Sequence, residues 1–140
     1  MFLTRECDYG IRIIRALADG NKKNVETIAG EEHIPIKYAY KIVRKLQAEG
    51  YLTCLRGRGG GFTLLKPLNT ITMADIVVAL DNSRLISECL RDDADCPKRD
   101  NEEAPCTVHE ELKRVQAALV AELSAQTMDK ILQVHCQKPI

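Results

Sequence analysis

Apolar residues recur at three- and four-residue spacings through the first 50 positions, a pattern that predicts three short helices. The first helix ends near Gly20, and Asn24 can cap the second, which breaks before Pro35. The third helix begins at Pro35, a favourable first helical residue, and is stopped by Gly50. The buried stripes of the three helices are Leu3, Cys7, Gly10, Ile13, Ile14 and Leu17; Val25, Ile28 and Ala29; and Ala39, Ile42, Val43 and Leu46.

The next segment predicts a β-hairpin. Two short apolar runs, 51–55 and 62–65, flank the turn sequence RGRGGG, in which glycines permit positive backbone dihedrals. Thr72 and Asp75 then form a capping-box-like start for a further helix through Leu80. Three helices followed by a hairpin are typical of a winged helix-turn-helix.

The last third of the chain predicts one long helix from Thr107 and a short helix near residues 127–134. The apolar positions of the long helix repeat at intervals of four, three, four and four, which places them along one side of the helix as a single apolar seam. A long helix with a single seam needs a partner surface. The seam residues are Val108, Leu112, Val115, Leu119 and Leu123.

These elements predict a mainly α fold with a small β wing: a winged helix-turn-helix domain plus a long C-terminal dimerisation helix. We expect the DNA-binding domain at 1–66, a connecting helix at 67–83 and a cysteine-bearing loop at 84–106. The dimerisation helix follows at 107–126, and a short helix and tail occupy 127–140. Residues 88–111 contain nine acids and three cysteines without apolar periodicity, so the loop needs another source of order.

The formal net charge of zero hides an asymmetry between the two halves of the chain. Residues 1–66 hold 12 Lys and Arg against 7 Asp and Glu, a net charge of +5, and residues 67–140 hold 8 against 13, a net charge of −5. A basic surface attracts phosphate, so nucleic acid is expected to bind the first half. The charged N-terminus and the lack of a membrane-length apolar run predict a cytoplasmic protein without a membrane partner.

The third helix presents a basic face opposite its buried stripe. Lys37, Lys41 and Arg44 lie on that face at four- and three-residue spacing, and such a face suits a DNA major groove. Taken alone, a basic stripe is more often a solvated helix face, but the glycine-rich hairpin tip adds arginines that can enter a minor groove. The candidate DNA-binding residues are Lys37, Tyr38, Tyr40, Lys41, Arg44, Lys45, Arg56 and Arg58.

The run IPIKYAYKIVRKLQAEGYLTCLRGRGGGFTLLKP resembles the IscR/NsrR family of winged-helix regulators, also called the Rrf-two family. The opening MFLTRECDYGIRIIRAL is similar to that family's first helix, and three clustered cysteines followed by a long helix complete the order. The resemblance covers nearly the whole chain. It implies a homodimer in which the long helices pair and two recognition helices address a palindromic operator in double-stranded DNA.

Three of the six cysteines lie close together in the sequence. Cys89, Cys96 and Cys106 are separated by six and nine residues, and His109 follows three residues later, near the start of a helix. In a reducing cytosol these thiols are better suited to metal binding than to disulfides. Thiolates are preferred ligands of iron-sulfur clusters, and a cluster could organise this acidic loop. A zinc site with three cysteines and one histidine, and unligated redox-active thiols, are the alternatives.

The family resemblance favours an iron-sulfur cluster and gives two candidates for its fourth ligand. The branch similar to IscR implies His109 and a [2Fe-2S] cluster, whereas the branch similar to NsrR implies Asp8 from the other subunit and a [4Fe-4S] cluster. The gap between Cys96 and Cys106 is longer than the usual family spacing, so the geometry could differ from both. His33 is a further candidate, although a solvated turn histidine is commoner. Aerobic handling can destroy such a cluster. Cys7 and Cys54 are expected on buried faces, and Cys136 in a frayed tail.

The sequence therefore predicts a transcription regulator whose operator affinity is controlled by an iron-sulfur cluster that senses redox state, nitric oxide or iron. The alternative is a cluster-free regulator of the same fold, controlled by a metabolic enzyme, a metabolite, or zinc or thiol chemistry. An enzyme is not expected, because no arrangement of a nucleophile, a histidine and an acid can be traced and no small-molecule substrate is implied.

Overall fold

A computed structural model of the chain describes residues 3–81 and 85–133. It opens with three helices, α1 (Arg5–Ala16), α2 (Val25–Glu32) and α3 (Ile36–Ala48). The side chains of Thr4 and Asn24 cap α1 and α2 by accepting hydrogen bonds from the amides of Cys7 and Thr27. His33 adopts the left-handed conformation that ends α2 and forms the tight turn into α3. The predicted helix-turn-helix is confirmed.

The hairpin consists of β1 (Leu52–Leu55) and β2 (Gly61–Leu64), which pair antiparallel with Leu52 opposite Leu64. It is anchored to the turn before α2, because Lys23 and Phe62 exchange two backbone hydrogen bonds of 2.8 and 3.1 Å. This close approach explains a glycine in the sequence: a Cβ built on Gly61 would lie 2.7 Å from the carbonyl oxygen of Lys23.

Gly61→Ala should therefore loosen the hairpin. The methyl group would collide with backbone rather than with a flexible side chain, so we expect a loss of about 1–3 kcal/mol in the free energy of unfolding. Gly30→Ala is the matched control: Gly30 lies inside α2 with open space around it, and alanine there should stabilise the protein by about 0.5–1 kcal/mol. Urea denaturation of the two variants measures both changes, and equal effects would contradict the close-approach argument.

The remaining helices are α4 (Met73–Leu80), α5 (Thr107–Ser124) and α6 (Met128–Leu132), with 3-10 turns at Leu68–Thr70 and Glu88–Leu90. The predicted capping box at Thr72 and Asp75 is present at the start of α4. α4 packs closely on α1, where a Cβ on Gly10 would lie 2.2 Å from Leu80 Cδ1. The core is formed by α1 to α4 with β1, and Met128 of α6 closes it from the C-terminal side.

Several sequence predictions need correction. Cys54 is exposed, not buried, because only the base of the hairpin reaches the core: Leu52 is buried, and exposure increases toward the tip. Pro35 is the N-cap of α3, not its first helical residue, since its ψ of 130° is extended. α1 ends at Ala16 rather than near Gly20. Cys136 lies outside the described residues.

Candidate nucleic-acid interface and cysteine loop

The face of α3 that points away from the core is basic. Its buried side consists of Ala39, Ile42, Val43 and Leu46, as predicted, which leaves Lys37, Lys41 and Arg44 exposed on the opposite side. Lys45 is partly exposed beside them. The predicted stripe of cations therefore lies at the protein surface, where a phosphate backbone can reach it.

The two tyrosines of α3 are about 40% exposed, so each offers part of its ring at the surface. Tyr38 makes a tilted ring contact with Tyr9 of α1, with 5.8 Å between the ring centroids. The hydroxyl of Tyr40 donates a hydrogen bond to Glu26 of α2, which raises the pKa of Tyr40 and lowers that of Glu26. Both rings are thereby held by neighbouring helices.

An acidic residue that the sequence interpretation did not consider contacts the basic face. Glu6, in the first turn of α1, accepts hydrogen bonds from Lys41 and, at 2.7 Å, from Lys45. Within residues 3–81 and 85–133, by contrast, no ion pair or hydrogen bond engages the side chains of Lys37 or Arg44. The cations of α3 thus fall into a paired set and an unpaired set.

The hairpin adds a second basic surface. Arg56 and Arg58 are exposed at its tip, and neither side chain has an ion pair among the described residues. Lys22 joins them, since its ammonium nitrogen lies 4.0 Å from a Cβ built on Gly59. Sequence reasoning missed Lys22, and the signal available was its position next to Lys23 in the polar turn before α2. Exposed arginines and lysines of this kind suit contact with a phosphate backbone.

A buried carboxylate fixes the helix-turn-helix. Glu32, at the end of α2, accepts hydrogen bonds of 3.1 and 3.2 Å from Nε of Arg15 on α1, and its backbone carbonyl accepts one from Arg12. Glu32 is 9% exposed, and a buried carboxylate needs such a partner. The contact joins α1 to the end of α2.

The cysteine loop brings one pair of the predicted ligands together. Cys89 Sγ lies 3.8 Å from His109 Nδ1, across the 20 residues that separate them. All three loop cysteines are free thiols of intermediate exposure. Cys106 is the N-cap of α5 and lines a depression with Pro97, Lys98 and Asn101, whereas His109 lines another with Arg91 and Arg99.

The donor set fits an iron-sulfur or zinc site in its chemistry but only partly in its positions. Three reduced thiols and an imidazole lie in one segment, as such a site requires. Among the described residues, however, no group of three or more His, Cys, Asp or Glu side chains is close enough to hold one metal ion. The structure places Cys89 beside His109 and does not bring Cys96 and Cys106 to them.

The other predicted ligands lie elsewhere. Asp8 is exposed on α1 and forms an ion pair of 3.2 Å with Arg12 one helical turn later. His33 is an exposed turn residue. Cys7 is fully buried in the core and accepts a hydrogen bond from Thr4, so it is a structural residue.

α5 has no buried residue. Leu119 and Leu123 of the predicted seam pack partly against the chain's own core, so the seam is only in part available to a second chain. The exposed apolar side chains of α5 include Val108, Val115 and Val120, which are 65%, 38% and 41% exposed.

The cysteine loop is connected to α3 by packed elements. Its first residues contact α5, where the amide of Ile86 donates a 2.9 Å hydrogen bond to Gln116, and α5 packs on α4. At the end of α4, the carbonyl of Leu80 accepts a 3.5 Å hydrogen bond from Lys45 of α3. Packed contacts therefore lead from α5 through α4 to the basic face of α3. No described helix combines the length and hydropathy that a membrane span requires.

Comparison with known proteins gives a family match over nearly the whole chain. The model of the family Rrf2, described as iron-dependent transcriptional regulator, matches residues 3–134. Protein rrf2 of Nitratidesulfovibrio vulgaris is 32% identical over 101 residues, which cover 70% of this chain and 67% of that protein. Protein aau3 of Rhizobium meliloti is 27% identical over 140 residues, with 98% and 88% covered.

Solved structures share the fold at low sequence identity. CymR, the global cysteine regulator of B. subtilis, superposes with a TM-score of 0.71 at 21% identity, and the match covers 94% of this chain and 96% of CymR. The oxidized form of Staphylococcus aureus CymR gives a TM-score of 0.73 at 21% identity, with 96% and 98% covered. IscR of T. potens gives 0.71 at 17% identity, with 98% and 91% covered. The winged-helix fold predicted from the sequence is confirmed.

Proposed function

The chain belongs to the Rrf2 family of transcription regulators, and from this premise we propose that it binds a palindromic DNA operator as a homodimer through α3 and the β1–β2 hairpin. The observation that carries this proposal is the pair of adjacent basic surfaces, one on α3 and one at the hairpin tip with Lys22. A helix of this exposure fits the major groove, and arginines on a narrow hairpin fit the neighbouring minor groove. Two such units in a dimer would address two half-sites.

Arg44→Ala and Arg58→Ala should each weaken operator binding by about 5- to 150-fold, because each removes a charge-assisted contact worth about 1–3 kcal/mol. The operator can be selected from a random duplex pool with the wild-type protein, and fluorescence anisotropy then measures affinity. Arg114→Ala is the control: Arg114 is an exposed arginine on α5, paired with Glu111 and remote in sequence from the basic surfaces. Unchanged affinity in both test variants would reject the DNA-contact assignment.

The loop from 85 to 109 is the second part of the proposal: Cys89, Cys96, Cys106 and His109 hold an iron-sulfur cluster of the [2Fe-2S] or [4Fe-4S] type. Support comes from the family description as iron-dependent and from the contact between Cys89 and His109. When bound, the cluster would supply sensitivity to redox state, nitric oxide or iron.

The chain's own residues would convey a change in the loop to DNA. The bond between Ile86 and Gln116 couples the loop to α5, and the contact between Leu80 and Lys45 couples α4 to α3. A two-state shift along this path would change the position of α3 relative to its counterpart in the dimer. Such a change alters operator affinity if the two states bind DNA differently.

Anaerobic purification of the wild-type protein tests the cluster proposal. We expect visible absorption together with iron and acid-labile sulfide in matching amounts. Zinc alone, or a colourless protein without metal, would reject the cluster and leave the DNA-binding proposal standing, since the basic surfaces do not depend on the loop.

A cluster-free, thiol-controlled regulator is the second candidate. It is favoured by the absence of any group of three potential ligands among the described residues and by the similarity to CymR, a global cysteine regulator. In that case oxidants would change operator affinity in the metal-free protein, and a Cys89→Ser variant would not respond. If oxidants have no effect, the remaining candidate regulators of operator affinity are zinc, a metabolite and a partner enzyme.

A further inference from the structure

The carboxylate of Glu6 lies between two lysines of the recognition helix. Its two oxygens are divided between them, one bound to Lys41 and the other to Lys45. The hydrogen bonds from Lys41 and then Lys45 hold the pKa of Glu6 below its usual value, so the carboxylate is charged at neutral pH. The same contact raises the pKa of Lys41. Glu6, Lys41 and Lys45 together therefore contribute a net charge of about +1, whereas the two lysines alone would contribute about +2.

The paired lysines occupy the same surface as unpaired cations. The side chain of Lys41 is 54% exposed, so it is at the surface that α3 presents, yet its ammonium group is already bound. Lys37, one turn earlier on the same helix, has no ion pair among the described residues, and the same is true of Arg44. Exposure alone does not distinguish these cations, whereas the contact with Glu6 does.

Affinity for DNA of arbitrary sequence depends on the number of cations that displace counterions from phosphates. A lysine bound to a carboxylate must first lose that partner before it can bind a phosphate, so it contributes less to this sequence-independent affinity. Unpaired cations and base contacts then account for a larger share of the total. Withholding two lysines therefore lowers the affinity for DNA that does not depend on sequence.

We propose that Glu6 is a positioning residue that limits sequence-independent DNA affinity by holding Lys41 and Lys45 away from the phosphate backbone. The proposal rests on the DNA-binding function proposed above. It assigns to the first turn of α1 a role in the strength of non-specific DNA binding that the positions of the basic residues alone do not reveal.

Glu6→Gln tests the proposal, because the amide keeps the size of the side chain and removes its charge. Binding to a mixed-sequence duplex is measured by anisotropy over a series of KCl concentrations. Each lysine released to a phosphate should steepen the slope of log affinity against log salt by about 0.9, or about 1.8 per subunit for both, with affinity about tenfold higher at low salt. Removing both lysines in the Glu6→Gln background should abolish this gain.

Glu111→Gln is the matched control, since Glu111 is an exposed carboxylate on α5 that pairs with Arg114 and, among the described residues, with no residue of α3. It should leave the salt slope within error of the wild type. An equal change in this control would overturn the proposal in favour of a general charge effect. An unchanged slope, or weaker binding, in a Glu6→Gln protein of normal thermal stability would also overturn it.

A second measurement leaves Glu6 intact. In the wild-type background, Lys37→Met should reduce the salt slope by about 0.9, and Lys41→Met should reduce it by much less, because Lys41 is already engaged. Equal reductions would contradict the proposal. A wild-type protein that binds no duplex at any salt concentration would instead reject the DNA-binding function itself, so the two failures are distinguishable.

Discussion

Val115→Glu combined with Val120→Glu should convert the proposed dimer into monomers and weaken operator binding by about 100-fold or more. Both side chains are exposed within one chain, at 38% and 41%, so glutamate there removes little intrachain packing. In a dimer formed by α5, a glutamate that faces the second chain would be buried against apolar side chains, which is strongly unfavourable. A monomer reaches only one half-site and loses the effective concentration that links two sites, typically worth 100- to 10,000-fold.

Light scattering coupled to gel filtration measures the mass of the variant, and anisotropy on the selected operator measures its affinity. Val78→Glu is the control, since Val78 on α4 is a similarly exposed valine, at 40%. It should remain dimeric. A dimeric double variant with wild-type affinity would exclude α5 as the interface, and dissociation of the control as well would extend the interface to α4.

The exposed surface of α5 also affects the stability of that helix. The 18-residue helix α5 has no buried residue, and among the described residues its apolar contacts with the core are half-buried ones such as those of Leu119 and Leu123. Most helical stability in proteins comes from packing of an apolar face, so a second chain would supply the packing that is missing. We therefore expect the dissociated variant also to lose thermal stability in this helix before the rest of the domain unfolds.

The local features of the fold were predictable from the sequence because they depend on neighbouring residues. The buried stripe of α3, the cap at Asn24 and the capping box at Thr72 follow from spacings of three or four positions, and all three are present. The start of α5 at Thr107 was likewise predicted. The end of α1 lies four residues before the predicted one, since turns continue the same apolar pattern past the last helical residue, and the strand boundaries shift by one residue.

Features that join distant residues were not predictable from spacing. The contact of Glu6 with Lys41 spans 35 residues, and the backbone bonds between Lys23 and Phe62 depend on how α2 packs against the hairpin. The exposure of Cys54 has the same origin, because period-two alternation places a strand residue on a face without telling how far the core extends beneath it. In the cysteine loop, which has little apolar packing, the sequence predicted the donors but not which of them meet.

His109→Ala should abolish the visible absorption and the bound iron of the anaerobically purified protein, and Asp8→Ala should leave both unchanged. The reason is geometric: His109 Nδ1 is 3.8 Å from Cys89 Sγ, whereas Asp8 is exposed and paired with Arg12. Of the two candidate fourth ligands, only His109 contacts another proposed ligand among the described residues. Cys96→Ala should lose the iron as well, because three thiolates are required in either arrangement.

Cys54→Ala is the matched control for the cysteine variants, since Cys54 is an exposed free thiol outside the loop. It should retain wild-type iron and sulfide. Loss of iron in Asp8→Ala with retention in His109→Ala would reverse the assignment, and it would require α1 of the second subunit to approach the loop. If neither Asp8→Ala nor His109→Ala loses iron, the fourth coordination position is held by a ligand other than these two residues. In each case operator affinity measured on the same samples, with and without iron, tells whether the occupied loop strengthens or weakens DNA binding through α5 and α4.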